Sequence, residues 1–250
     1  MNRITLLASL IAALIFWASR PFPGRFILKG IPVLALALIV WNHKKSRQEI
    51  TLFIALLFHC LGDVFLEIAR VRLFLPAVGA FTLGHIFYIL TFKVDVSSHH
   101  GLSATRKMLV SAVIIFAIIM GVVIVPHLKT PLVAPVVLYV IAISTMAIFA
   151  FLANYRTAWI SLGAVSYLLS DSLIAINTFV HLFAGIAYII WPMYYLGQFL
   201  IVVGVLMGEK PARSFNNLSM IQARLLQTVS RMNPSQNYHP SALKKSPKLF

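Results

Sequence analysis

Three of the six acidic residues in this 250-residue chain, Asp63, Glu67 and Asp171, fall inside or at the edge of long apolar runs, and Lys29 interrupts another. A carboxylic acid can donate a proton. A carboxylate can accept one, or steady a developing positive charge. Two carboxyl groups in different surroundings can divide these tasks. In hydrocarbon an ionisable side chain costs about 2.5–3.5 kcal/mol or more unless it faces protein or water, so each one marks a functional position by default. Other polar residues share the spacing. His59 stands one helical turn before Asp63, and Tyr167 one turn before Asp171, which Ser170 and Asn177 flank. His85 and Tyr88 are three apart, as are Tyr195 and Gln198, and Tyr139 sits within its own apolar run. Each also has a plainer use. Buried acids bond to neighbouring hydroxyls in helix packing, and tyrosines collect at membrane boundaries.

The composition sets what must hold these residues. The chain is 60% hydrophobic and 11% charged, with a mean hydropathy of +0.90. Soluble domains carry about 25% charged residues, so a soluble globular fold is excluded. One cysteine, Cys60, excludes an intramolecular disulfide and Cys-rich metal sites, and reads as core packing rather than a nucleophile. His59, Asp63 and His85 would make a three-ligand set, but there is no HExxH and no second histidine at helical spacing, so no metal and no cofactor are expected.

A bilayer core takes about 20 apolar residues per helix. Eight stretches qualify: Ile4–Ser19, Phe26–Trp41, Ile50–Ile68, Leu73–Phe92, Met108–Pro126, Leu132–Ala153, Thr157–Phe179 and Tyr188–Gly208, the first two at the short limit. The runs are continuous, whereas membrane strands alternate apolar and polar residues. The expected fold is therefore all-α, a bundle of eight transmembrane helices with short loops over residues 1–208. Arg3, the apolar run and Ala18-Ser19 also fit a signal peptide. A retained helix suits the charge pattern better.

With eight crossings, one side collects fifteen of the 21 basic residues and the other five, Arg20, Arg25, Arg70, Arg72 and Lys129. The positive-inside rule then puts both termini in the cytoplasm, in a bacterial inner membrane or an endomembrane. Residues 209–250 are polar, basic and rich in proline, with a short amphipathic start at Leu218–Val229. This segment reads as a largely disordered tail, and the net charge of +15 points to anionic lipid headgroups, not nucleic acid. Asp63 lies 13 residues into the third run and Asp171 14 into the seventh, so both carboxylates sit about 20 Å from the cytoplasmic face at 1.5 Å per residue. With Lys29 near that level, a polar cavity is favoured over separate packing sites. Gly204-xxx-Gly208 permits close helix approach, including to a second copy.

The order and spacing of several segments resemble the transmembrane lysoplasmalogenase, or YhhN-like, family over about Leu28–Gly208. They are Lys29-Gly30-Ile31-Pro32, Leu61-Gly62-Asp63-Val64-Phe65-Leu66, His85-Ile86-Phe87-Tyr88, Pro135 through Tyr139 with Met146, Gly163 through Ser170-Asp171-Ser172, and Tyr194 through Ile201. The family commonly has Lys-Pro where this chain has Lys29-Gly30, and the basic tail lies outside the resemblance. The resemblance implies hydrolysis of the vinyl-ether bond of a lysoplasmalogen to a fatty aldehyde and a glycerophospho-alcohol. It also implies that Asp63 and Asp171 match the family's acidic positions, and Lys29, His85, Tyr139 and Gln198 its other recurrent polar ones.

That chemistry differs from ester cleavage. The slow step protonates the β-carbon and leaves an oxocarbenium ion. Water adds, and the hemiacetal collapses. One protonated acid and one carboxylate suffice, by the logic glycosidases apply to a related cation. Asp171 is assigned as the acid and Asp63 as the carboxylate, with the reverse open according to which one Lys29 approaches. Tyr88, Ser170, Asn177 and Tyr195 are supporting candidates. Arg25, Lys29, Arg70 or Arg72 would meet a lysolipid phosphate, unless they are ordinary interfacial charge. Two other classes remain: a transporter or proton-coupled carrier using the same Asp and Lys residues, and a non-catalytic membrane receptor or scaffold.

Overall fold

A computed structural model describes residues 3–43, 46–93, 103–153, 155 and 157–207. The described residues form eight α-helices and no β-strand: α1 (Arg3–Ala18), α2 (Arg25–Trp41), α3 (Arg47–Ala69), α4 (Phe74–Lys93), α5 (Ala104–Ile124), α6 (Thr130–Leu152), α7 (Trp159–Ala175) and α8 (Ala187–Met207). Six spans, α3 to α8, are long and apolar enough to cross a membrane, with α7 counted together with the π-helical turn that extends it to Val180. At 16 and 17 residues, α1 and α2 are shorter than the usual span. The expected eight crossings thus correspond to six helices of crossing length and two shorter ones. The basic tail and its amphipathic Leu218–Val229 lie outside the described residues.

Local chemistry moves several helix ends. α3 begins three residues before its apolar run because Ser46 and Glu49 form a capping box. The Ser46 hydroxyl accepts from the Glu49 N–H at 3.3 Å, and the Glu49 carboxylate accepts from the Ser46 N–H at 2.9 Å. The chain turns into α2 through Gly24, whose φ of 88° suits glycine. Past Asp171, α7 widens into a π-helical turn at Ile176–Val180, a geometry that often accompanies functional sites.

Packing closes α1, α2, α3, α4, α6, α7 and α8 into a ring. α3 lies on α2 and α4, α7 on α6 and α8, and α1 and α2 both meet α8. α3 and α7 therefore stand on opposite sides of the interior. α5 lies outside the ring, chiefly against α6. The outer faces remain apolar, with Ile118 and Leu138 each 61% exposed, as a hydrocarbon solvent permits.

The α7–α8 seam is the closest approach. A Cβ at Gly163 would lie 2.8 Å from the Gly197 carbonyl oxygen, and one at Gly197 2.9 Å from the Gly163 carbonyl oxygen. Lipid offers no hydrophobic drive for helices to associate, so small residues that let backbones touch supply the packing instead. Gly204, whose spacing to Gly208 permits close helix approach, is used within the chain: a Cβ there would lie 2.9 Å from the Ile160 nitrogen of α7.

Candidate active site

Asp63 and Asp171 line one cavity of about 600 Å³ in the interior of the ring. α3 delivers Asp63, 3% exposed, and α7 delivers Asp171 from the opposite side. Lys29, Glu67, Tyr139, Asn177 and Tyr194 share the lining. The charged end of the cavity carries Arg20, Arg25 and Arg70. Its other end is apolar, with Phe116, Ile143 and Leu168 among its walls. An amphipathic molecule matches that polarity.

The two carboxylates have different partners. The Asp63 carboxylate accepts from the Tyr194 hydroxyl at 2.7 Å and lies 3.8 Å from the Lys29 ammonium. Lys29 is shared with Glu67 at 3.5 Å, and Glu67 in turn pairs with Arg25 at 2.7 Å. Arg25 is fixed from its other side. Its Nε donates to the Ser19 hydroxyl at 3.1 Å, and the guanidinium lies 4.0 Å over the Phe16 ring. This alternating line of cations and anions, Arg25–Glu67–Lys29–Asp63, links α2 to α3. Asp171 has neutral donors instead, the Tyr139 hydroxyl and the Ser170 hydroxyl, the latter at 3.1 Å. Because Tyr139 spends its hydrogen on Asp171, its oxygen accepts from His85 Nε2 at 3.2 Å.

Behind the lining, Tyr88 donates to the Gln198 side-chain oxygen, and the Gln198 amide donates to the Tyr194 hydroxyl at 3.3 Å. Tyr88 and Gln198 thus hold Tyr194, which holds Asp63. His59 leaves this polar set. Its Nδ1 lies 2.8 Å from the Ala55 carbonyl, and its ring stacks on Tyr88 with centroids 4.8 Å apart. Among the described residues, no group of three His, Cys, Asp or Glu side chains is placed to hold a metal ion. The Cys60 thiol points to the Gly30 carbonyl at 3.5 Å.

The expected site residues fall into three groups. Lys29, Asp63, Tyr139, Asp171 and Asn177 line the cavity. His85, Tyr88, Ser170 and Gln198 back that lining by hydrogen bonds. Tyr195 does neither: its hydroxyl bonds that of Ser9 on α1 at 2.7 Å. Its neighbour Tyr194 carries the contact to Asp63, a role the sequence reading did not assign. The signal was present but ambiguous, since Gln198 is three residues from Tyr195 and four from Tyr194, and both spacings share a helix face. The Arg25–Glu67 pair was likewise unassigned. Arg72 is absent from the lining, while Arg20, not singled out for phosphate, is part of it.

Comparison with known proteins covers most of this assembly. The YhhN family matches residues 24–205, from the turn into α2 to the last turns of α8. The lysoplasmalogenase of Mycobacterium tuberculosis (strain CDC 1551 / Oshkosh) is 32% identical over 184 residues, which is 73% of this chain and 70% of that protein. The lysoplasmalogenase of Mycobacterium bovis shows the same identity and coverage. The human lysoplasmalogenase TMEM86B is 26% identical over 186 residues, 74% of this chain and 76% of that protein. No solved structure matches. With its cavity-lining residues from Arg25 to Tyr194 inside the matched span, the chain belongs to the YhhN family.

Proposed function

We propose that this protein is a membrane lysoplasmalogenase that hydrolyses the vinyl-ether bond of a lysolipid by acid–base catalysis with Asp63 and Asp171. The observation that carries the reading is the single amphipathic cavity lined by both aspartates, with cations at one end and hydrocarbon at the other. The relatives named lysoplasmalogenase support the substrate class.

The unequal partners of the two acids support a division of labour. Asp63 lies beside the Lys29 ammonium and acts as the carboxylate. Asp171 meets neutral donors and acts as the acid. Asp171 gives its proton to the β-carbon of the vinyl ether, and the positive charge spreads over the α-carbon and ether oxygen. Asp63 stabilises that charge and takes a proton from the water that bonds to the α-carbon. The hemiacetal then breaks its bond to the glycerol oxygen. That oxygen takes the proton from Asp63, while the hemiacetal hydroxyl gives its own back to Asp171. One water is consumed, aldehyde and alcohol leave, and both acids return to their starting state. Tyr139 and Ser170 orient Asp171, and Tyr194 orients Asp63.

Arg20 and Arg70 are the headgroup side of this reading. Arg25 and Lys29 are already engaged by Glu67, which leaves those two guanidiniums at the charged end to meet a phosphate. The reading also takes residues 1–208 as eight crossings, on their apolar runs, and on that count the charge distribution favours cytoplasmic termini and a basic cytoplasmic tail from residue 209 against anionic headgroups.

Purified protein in detergent, given a vinyl-ether lysolipid, is expected to release fatty aldehyde. A transporter would need a sealed vesicle to show turnover. Aldehyde release absent in detergent, alongside solute movement in vesicles, would reject the hydrolase in favour of the carrier.

A further inference from the structure

The cavity holding the two aspartates is not the whole apolar space in this part of the bundle. A second cavity of about 310 Å³ lies along the α5–α6 seam, and Ala117, Ile124, Val136, Val140 and Ser144 line both. These five residues form a partition one side chain thick. The remaining lining of the second cavity includes Ile114, Ile118 and Ile141, which are 46%, 61% and 56% exposed on the outer surface.

The partition is uneven. Toward the outer ends of α5 and α6, Met120, Ile124 and Val136 form a buried apolar cluster that seals the seam. Deeper in the membrane the partition narrows to Ala117, Val140 and Ser144, a small, a β-branched and a small side chain. The Ser144 hydroxyl is buried there without a hydrogen-bond partner. α5 itself stands outside the ring and is held chiefly by α6. The thinnest part of the wall is thus carried by a helix that rests chiefly on one neighbour.

The direction of the main cavity gives this wall a meaning. Its charged end, with Arg20 just past α1 and Arg70 just past α3, lies at one end of the bundle, and Ile143 and Ser144 line it about one turn beyond the Tyr139–Asp171 contact along α6. A lysolipid with its phosphate among the arginines and its vinyl ether between the aspartates directs its hydrocarbon chain at that deep end. We infer that the chain passes between α5 and α6 at Ala117, Val140 and Ser144, so that its far end lies in the second cavity and the surrounding lipid. The inference rests on the hydrolase reading and adds to it. The site would then grip the headgroup and the reacting carbons, while the α5–α6 portal, not the cavity volume, sets which chain lengths are accepted. The same portal offers the fatty aldehyde a lateral way out into the bilayer, and the water-soluble alcohol leaves by the charged end.

Two measurements test it. In the first, Ala117→Trp and Val140→Trp fill the portal, and kcat/KM is compared for a long-chain and a short-chain vinyl-ether lysolipid. The expected result is a fall of about tenfold or more in the long-to-short ratio, the scale on which a blocked apolar pocket discriminates. Ile119→Trp, on the lipid face of α5 and outside both cavities, keeps the wild-type ratio. An unchanged ratio in both portal variants, or equal loss on both chain lengths, overturns the portal. The second measurement needs no turnover. A saturated-ether lysolipid with a diazirine at its chain end is photolysed in the purified protein, and the labelled residues are mapped by mass spectrometry. Labelling at Ile114, Ile118 or Ile141 that excess unlabelled lysolipid removes is expected. Competable labelling confined to other helices overturns the portal even when hydrolysis is intact, whereas absence of vinyl-ether hydrolysis by the wild type is a failure of the enzymatic reading instead.

Discussion

The Lys29 ammonium lies 3.8 Å from the Asp63 carboxylate, and the partners of Asp171, on the facing helix, are neutral hydroxyls. One pair of like residues is thereby made unlike. Asp63→Asn and Asp171→Asn are each expected to lower vinyl-ether hydrolysis about 10²–10⁴-fold, the usual worth of a general acid or base. Aldehyde release by purified variants of native size and thermal stability checks this. Either variant retaining more than about a tenth of the wild-type rate sinks the acid–base assignment for that residue.

The tyrosines separate in the same way. Tyr139→Phe removes a hydrogen bond that strengthens as Asp171 gives up its proton and becomes a carboxylate, and its loss is expected to slow turnover about 10–100-fold, the kinetic equivalent of about 1.5–3 kcal/mol for a bond to a charged group. Tyr194→Phe acts similarly through Asp63. Tyr195→Phe loses only its bond to Ser9 and is expected to stay within about threefold of wild type in kcat, with a stability loss of about 1 kcal/mol. Parallel kcat and thermal-unfolding measurements would distinguish the three. Equal kcat losses at 194 and 195 would contradict the geometry.

The line Arg25–Glu67–Lys29–Asp63 joins α2 to α3, so it carries stability as well as charge. Removing one partner of a buried ion pair costs about 3–5 kcal/mol. Arg25 and Glu67 are 19% and 20% exposed, and water at that edge reduces the loss expected for Glu67→Gln to about 1–3 kcal/mol. A double-mutant cycle with Arg25→Met, followed by thermal unfolding in detergent, reads the coupling. Strictly additive losses would show that the pair contributes nothing.

Glycines at two positions should behave oppositely. Gly163→Val forces a side chain against the Gly197 carbonyl oxygen, and backbone cannot turn aside as a side chain can. Overpacking of this kind costs about 1–3 kcal/mol or more, so the variant is expected to melt earlier and to lose activity with its α7–α8 seam. Gly79→Ala adds a Cβ with nothing within 4 Å and is expected to hold or gain up to about 1 kcal/mol through helix propensity. Thermal unfolding of the two side by side is the check.

Much of this protein is written in one dimension. The composition excludes a soluble fold, and the apolar runs mark the eight helices to within a few residues, since hydrocarbon thickness demands length and backbone hydrogen bonding demands helix. Asp63, Asp171 and Lys29 stand out by the cost of placing charge there. Helix ends shift where local side chains intervene, as Ser46 and Glu49 do at α3. What a sequence of this kind leaves open is rotation and neighbourhood. A soluble helix shows its buried face as an apolar stripe, but a helix in lipid is apolar all round. Nothing local therefore decides that Tyr194 turns to Asp63 and Tyr195 to Ser9, that Lys29 joins Asp63 and not Asp171, or that α5 stands outside the ring beside the thin wall at Ala117. Those choices are made by the packing of whole helices, where Gly163 meets Gly197 backbone to backbone and each helix settles in the one rotation its neighbours admit.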